Sequence, residues 1–201
     1  MIHRSDFLVL GGGVAGLTCA LEAAQHGTVV VLTKRGRSEG NTVYAQGGIA
    51  AVLGHDDSIE LHVEDRIVAG AGLNDSEIVR LAVTEGPKRL AALVKIGAQF
   101  STQLDGQLDL TREGGHSARR VVHAADMTGR EVERALLAAC DDSGKIQFLE
   151  EATGIDLILD RSRPRGERRC LGCYVVRDDG RIDTFLSKVT VLATGGAGKV
   201  Y

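Results

Sequence analysis

Gly11-Gly-Gly13-Val-Ala-Gly16 follows the apolar run Phe7-Leu-Val-Leu10 and opens a helical pattern, so a G-x-G-x-x-G lies on a strand-to-helix turn. That spacing suits the diphosphate of a dinucleotide. Gly11 lets the chain turn sharply, Gly13 lets backbone N–H groups approach a pyrophosphate, and Gly16 lets the helix pack close to the sheet. Other side chains also have chemistry to offer. Glu113, beside Gly114-Gly115, carries a carboxylate that is ionised at neutral pH and can attract an ammonium group. The competing reading is an ion pair with Arg112, Arg119 or Arg120. His116 and His123 titrate near neutrality, as a general base must, but the sequence fixes no partner for either, and His123 reads as a structural hydrogen-bonding residue. Cys170-Leu-Gly-Cys173 has C-x-x-C spacing but leads into a strand pattern, where residues three apart point to opposite faces. With no second Cys or His pair nearby, no metal site is expected. Cys19 and Cys140 read as core.

The elements that must position these groups follow from periodicity. The first helix is expected from Val14 to His26, stopped by Gly27, with its positive end toward the phosphates. Thr28-Val-Val-Val-Leu32 supplies the second strand of a βαβ unit. Residues 36–54 form a glycine-rich loop. Asp56-Asp57-Ser58 caps a helix from Ile59 to Ala69, and Asn74-Asp75-Ser76-Glu77 caps another that is expected to break at Gly86-Pro87 and resume from Lys88 to Ile96. Residues 102–120 are polar and irregular, a second candidate functional loop. A helix over Thr128–Cys140 leads to a strand at Ile146–Leu149. Strands at Gly154–Leu159, Leu171–Val176 and Ile182–Phe185 read as a small antiparallel meander. A last strand from Lys188 ends in a second glycine turn, Ala193-Thr-Gly-Gly-Ala-Gly198. The fold class expected is α/β, a Rossmann-like parallel sheet with that meander, over a single dinucleotide-binding domain of residues 1–201. A strand ending in Ala-Thr-Gly-Gly implies more protein after it, so the chain reads as the N-terminal part of a longer protein.

At 201 residues and 43% hydrophobic content, the chain can bury a sizeable core. A net charge of −3 gives no reason to expect nucleic acid or an anionic membrane as a partner. The basic run Arg161–Arg169 contains Pro164 and Gly166 and reads as a solvated hairpin loop. No stretch has the length of a membrane span, residues 1–6 lack the pattern of a secretory signal, and four cysteines make no disulfide framework, so a cytoplasmic location is expected. A standard NAD site needs an acid at the end of the second strand, where this chain has Leu32-Thr33-Lys34. The Thr33 hydroxyl could meet a ribose and Lys34 a phosphate or adenine. Two glycine turns separated by a meander favour FAD.

Five segments in order resemble the succinate dehydrogenase and fumarate reductase flavoprotein superfamily, and within it the L-aspartate oxidase family. They are Gly11–Gly16, Glu39-Gly-Asn-Thr-Val-Tyr-Ala-Gln-Gly-Gly-Ile-Ala-Ala51, Leu110-Thr-Arg-Glu-Gly-Gly-His-Ser117, His123-Ala-Ala-Asp-Met-Thr-Gly-Arg-Glu131 and Val191–Tyr201. The resemblance implies FAD contacts at Gly12, Gly13, Val14 and Ala15, at Lys34, and at Asn41, Thr42, Val43, Tyr44, Ala45, Gln46, Gly47 and Gly48. To these the glycine turns add Gly11, Gly16, Ala193, Thr194 and Gly195, and the end of the second strand adds Thr33. Backbone at Gly47 and Gly48 would approach the isoalloxazine, with Gln46 and Thr42 hydrogen bonding its polar edge. Where complex-bound relatives carry a histidine bonded covalently to the flavin, this chain has Asn41, which implies noncovalent FAD. The resemblance also implies oxidation of L-aspartate to iminoaspartate with dioxygen, giving hydrogen peroxide, or fumarate as acceptor, and delivery to quinolinate synthase in NAD biosynthesis. Glu113 would orient L-aspartate, while the catalytic arginine and carboxylate clamps would lie beyond Tyr201. The alternatives are a fumarate reductase or succinate dehydrogenase flavoprotein, which Asn41 and Glu113 argue against, and a non-catalytic FAD-binding module.

Overall fold

The computed structural model describes residues 1–125 and 127–196. In chain order the elements are β1 (Ile2–Leu10), α1 (Val14–Ala24), β2 (Val29–Leu32), β3 (Ile49–Ala50), α2 (Ile59–Ala69), α3 (Ser76–Lys95), β4 (Leu110–Thr111), β5 (Val121–Val122) and α4 (Thr128–Asp142). There follow β6 (Ile146–Leu149), β7 (Ala152–Leu159), β8 (Cys170–Arg177) and β9 (Ile182–Leu192). The chain forms two compact units, one of Met1–Thr42 with the chain from Leu136 onward, the other of Val43–Ala135.

The first unit is a six-stranded sheet in the order β6-β2-β1-β9-β8-β7. β6, β2, β1 and β9 run parallel, and β8 pairs antiparallel with both β7 and β9. All four residues of β2 are buried, as an all-aliphatic parallel strand covered on both faces should be. On one face, Ala20, Ala23 and Ala24 of α1 pack against Val9, Val29 and Val31. On the other, Leu8, Leu10, Val30 and Leu32 meet Ala152, Cys173, Val175 and Phe185 from the meander strands. The antiparallel strands therefore continue the parallel sheet and cover its second face. The two strands expected at Ile182–Phe185 and from Lys188 are one, β9, whose start pairs antiparallel with β8 and whose length pairs parallel with β1. No glycine or proline lies between Phe185 and Lys188 to break it, and β1 supplies a continuous ladder. α1 ends at Ala24, two residues before the expected stop. The Arg161–Arg169 run is exposed and joins β7 to β8, as expected.

In the second unit α2 packs against α3, and β3, β5 and β4 form a small antiparallel sheet that two-residue strands left invisible in the sequence pattern. Ser58 caps α2 by accepting from Leu61 N–H at 3.1 Å, and Asp75 caps α3 by accepting from the N–H groups of Glu77 and Ile78. The break expected at Gly86-Pro87 does not occur: α3 is one helix of 20 residues with Pro87 inside it. Val83 and Leu90, seven residues apart and both buried, anchor the same face before and after the proline. Burying two such side chains offsets the roughly 3 kcal/mol that an internal proline costs. Among the described residues no helix is long and apolar enough to cross a membrane.

Candidate cofactor-binding site and the Glu113 loop

In the first unit the chain leaves β1 through Gly11, whose φ of +118° is open to glycine alone in practice, and whose N–H donates to the Leu32 carbonyl at 2.9 Å. A Cβ on Gly11 would strike the Ala193 carbonyl, and one on Gly16 would strike the Gly11 carbonyl, so both glycines are required by close backbone approach. Ala193 donates its N–H to Leu10 at 2.9 Å, bringing the second glycine turn beside the first. Gly13 caps α1 with no side-chain hydrogen bond, and the first turn of α1 holds no acidic residue. The positive end of the helix is left for an external anion, with Val14 and Ala15 exposed beside it. Thr42 accepts from Val14 N–H at 3.3 Å. Thus Gly11–Gly16, Thr42 and Ala193 come together, with Thr194 and Gly195 next in the chain, and this cradle fits a pyrophosphate. The remainder of the second glycine turn, from Ala197, lies outside the described residues, as does Asp126 of the His123–Glu131 segment.

Thr33 is buried and donates its hydroxyl to the Arg35 carbonyl at 2.7 Å, so the proton expected to reach a ribose has a local acceptor. Lys34 and Asn41 are exposed. The loop after β2 is held by acids that the sequence reading missed. Glu150 accepts from Arg37 N–H at 3.0 Å, and Asp141 takes both guanidinium ends of Arg37 at 2.6 and 3.0 Å. The hydrogen bonds to Asp141 outweigh desolvation and raise the Arg37 pKa.

In the second unit Tyr44, Ala45, Gln46 and Gly47 are exposed and Val43 is half-buried. The Ala45 carbonyl accepts from Gly129 N–H at 3.0 Å. Gly47 has open space where a Cβ would stand, whereas a Cβ on Gly48 would collide with Val121 and Val122 of β5. The two glycines differ in cause: packing explains Gly48, and no contact among the described residues explains Gly47.

Glu113 opens a tight turn. Its carbonyl accepts from His116 N–H at 3.2 Å, with Gly115 at φ +78°, the position where a type II turn requires glycine. The Glu113 side chain is exposed and, among the described residues, has no ion pair. Two of the three arginines offered as partners are engaged elsewhere, and Arg112 is exposed and forms no ion pair with Glu113 among the described residues. Arg119 donates to the Leu110 carbonyl at 2.8 Å, and Arg120, fully buried, is clamped by Asp57 at 2.6 and 2.8 Å and by Asp65 at 2.5 Å. Asp65 also accepts from the N–H and hydroxyl of Ser117 at 2.8 and 2.9 Å. Burial opposes its ionisation, but those bonds and Arg120 prevail and lower its pKa. Arg66 donates to His62 Nε2 at 3.2 Å and meets His116 Nε2 at 2.9 Å. Burial first, then Arg120 and Arg66, pushes the His62 pKa down to about 4, and burial with the same two cations lowers that of His116. His123 Nδ1 is buried with no hydrogen-bond partner among the described residues, and its carbonyl accepts from Ser101 N–H at 2.8 Å. The sequence reading missed this network, whose one local signal is a polar stripe: His62, Asp65 and Arg66 fall three and four residues apart on α2, on a face where a core helix would carry aliphatics.

Relatives extend this picture. The chain is 50% identical over 197 residues to L-aspartate oxidase 2-b, chloroplastic, of Nicotiana tabacum, covering 98% of this chain and 30% of that protein. It is 42% identical over 207 residues to the L-aspartate oxidase of Pseudomonas aeruginosa, covering 99% and 38%. Among solved structures, E. coli quinol fumarate reductase superposes with a TM-score of 0.90 at 29% identity over all of this chain and 34% of the other. The Mycobacterium smegmatis Sdh1 complex gives 0.87 at 31% identity over 100% and 36%. The chain thus spans about a third of the length of these relatives. Residues 6–201 match the FAD binding domain family, which makes FAD the cofactor of this fold. An acid-free helix start and a first glycine turn closed to any side chain at Gly11 and Gly16 are what that cofactor's pyrophosphate needs, and the chain belongs to the FAD binding domain family.

Proposed function

We propose that the full-length protein is an L-aspartate oxidase, converting L-aspartate to iminoaspartate for pyridine-nucleotide biosynthesis, with dioxygen or fumarate as electron acceptor and quinolinate synthase as the consumer of its product. The observation that carries the reading is Glu113, an exposed carboxylate without an ion pair among the described residues, presented on a glycine turn while Arg119 and Arg120 are engaged elsewhere. A free carboxylate there can take the ammonium group that separates L-aspartate from succinate. The 42–50% identities to L-aspartate oxidases support the same choice.

FAD, when bound, supplies a two-electron acceptor for a hydride. The chain's own residues do the holding. The N–H groups at Gly12, Gly13 and Ala15 would hold the pyrophosphate, Lys34 and Thr33 would serve the adenosine end and residues Asn41–Gly48 the flavin, with Ala193–Gly195 beside the first turn. Asn41 lacks a nucleophilic ring nitrogen, so FAD is held without a covalent bond. Catalytic proton transfer and the carboxylate clamps fall to residues outside this chain. The four free cysteines suit a reducing compartment, the cytoplasm in this reading, although the plant relatives are named as chloroplastic.

The test mixes the flavin-loaded full-length protein anaerobically with L-aspartate or succinate and follows the flavin absorbance, with Glu113→Gln alongside. Bleaching by L-aspartate alone, weakened at least about tenfold in the variant, is expected for a lost charge-assisted contact. Bleaching by succinate instead would make this a dicarboxylate oxidoreductase like the fumarate reductases it superposes on. Bleaching by neither would leave an FAD-binding module.

A further inference from the structure

We propose that Asp65 is a positioning residue for amino-acid selectivity: by holding Arg120 and Ser117 it fixes the turn that presents Glu113, and it keeps the Arg120 guanidinium from pairing with that carboxylate. The inference rests on the reading of Glu113 as the group that takes the substrate ammonium. Three residues of the loop, His116, Ser117 and Arg120, are tied to Asp57, Asp65 and Arg66 on or just before α2. One oxygen, Asp65 Oδ2, accepts from Ser117 N–H, Ser117 Oγ and Arg120 Nη1. The Arg120 backbone is fixed too, its N–H donating to Thr111 and its carbonyl accepting from Ala51.

Charge makes the same point. Two guanidinium groups, Arg66 and Arg120, face two carboxylates, Asp57 and Asp65, and the two imidazoles between them are held neutral by burial and by those cations. The cluster is balanced, so Arg120 leaves no unmatched positive charge of its own to draw in the carboxylate of Glu113. A loop can be fixed more cheaply by apolar packing than by a buried ion network. A network that also consumes the charge of the loop's own arginine does something packing cannot.

The test uses the flavin-loaded full-length enzyme and anaerobic stopped-flow bleaching, which separates the apparent Kd of L-aspartate from the limiting rate. Asp65→Asn is expected to raise that Kd about tenfold, to leave the limiting rate within about twofold, and to leave the inhibition constant of succinate within about twofold. In a Glu113→Gln background the same change is expected to add nothing. Equal losses for L-aspartate and succinate, or an undiminished loss in the Glu113→Gln background, would overturn the proposal. Ser117→Ala removes one bond to Asp65 without touching a charge; a smaller change in the same direction is expected, and it carries the test if Asp65→Asn does not retain flavin. If Glu113→Gln alone leaves the preference for L-aspartate over succinate intact, the substrate reading falls and this inference with it. If Glu113→Gln abolishes the preference while Asp65→Asn and Ser117→Ala leave it unchanged, only the inference falls.

Discussion

Two adjacent glycines and one buried histidine show how far single residues carry meaning here. Gly48 is walled in by Val121 and Val122, so Gly48→Ala is expected to destabilise the protein whatever it binds. Gly47 is open, and Gly47→Ala is expected to keep the melting temperature of the apoprotein while weakening FAD binding about tenfold if backbone there lies against the flavin. Unchanged FAD affinity in Gly47→Ala would remove this residue from the site. His62 makes a second prediction, through pH. Its pKa of about 4 in the folded protein lies below the ordinary 6.5, so the unfolded chain takes up a proton first as pH falls. Stability is therefore full above about pH 6.5 and declines toward pH 4, by up to about 3 kcal/mol, after which this contribution levels off. Urea unfolding at pH 7 and pH 5 reads the effect, and His62→Gln is expected to flatten it; an equal slope in the variant would assign the loss to other groups. Local glycine spacing made the Gly11–Gly16 turn legible in the sequence. The partners of Arg120 were not, because Asp57 and Asp65 lie 63 and 55 residues away, and only tertiary packing brings them to it.

At the scale of elements, the sequence reading succeeded where caps and hydrophobic period agreed and failed where packing overrode local preference. α2 runs from Ile59 to Ala69 and β6 from Ile146 to Leu149 as their patterns dictate. α3 is the counterexample, since Gly86-Pro87 is a breaking signal that buried Val83 and Leu90 defeat. The helix still bears the local penalty, and that has a measurable consequence. A Cβ at Gly86 would make only ordinary contacts with Ala50 and Ala51, at 3.8 Å and beyond. Gly86→Ala is thus expected to stabilise the protein by up to about 1 kcal/mol, and Pro87→Ala by about 1–3 kcal/mol if the freed N–H completes the helical ladder. Denaturant midpoints check both. A destabilised Pro87→Ala would mean that the ring itself packs in a way an alanine cannot replace. β9 illustrates the opposite difficulty, for its two halves read as separate strands only because a sequence does not show that β1 and β8 pair with it from opposite sides.

Across the whole molecule the proposed cofactor contacts come from segments far apart in sequence, and each can be tested for its own response to the ligand. Binding to the folded state alone stabilises it by about 2.7 kcal/mol at a hundredfold excess over Kd. Hydrogen exchange on the full-length protein, with and without FAD, distinguishes contact at these segments from a general tightening. Protection is expected at residues 11–17, where α1 offers its first N–H groups, at 33–42 after β2, and at 43–48. No change is expected in the exposed run 161–169, which joins two antiparallel strands and holds none of the proposed contacts. The central amides of β1 and β2 should exchange slowly in both states, since Leu8, Val9 and Val31 are fully buried and their ladder is paired on both sides. Protection confined to 11–17 would shrink the site to a pyrophosphate turn and withdraw residues 43–48 from it. Uniform protection, including 161–169, would mean that FAD stabilises the fold as a whole, and the residue assignments would then need the glycine substitutions to decide them.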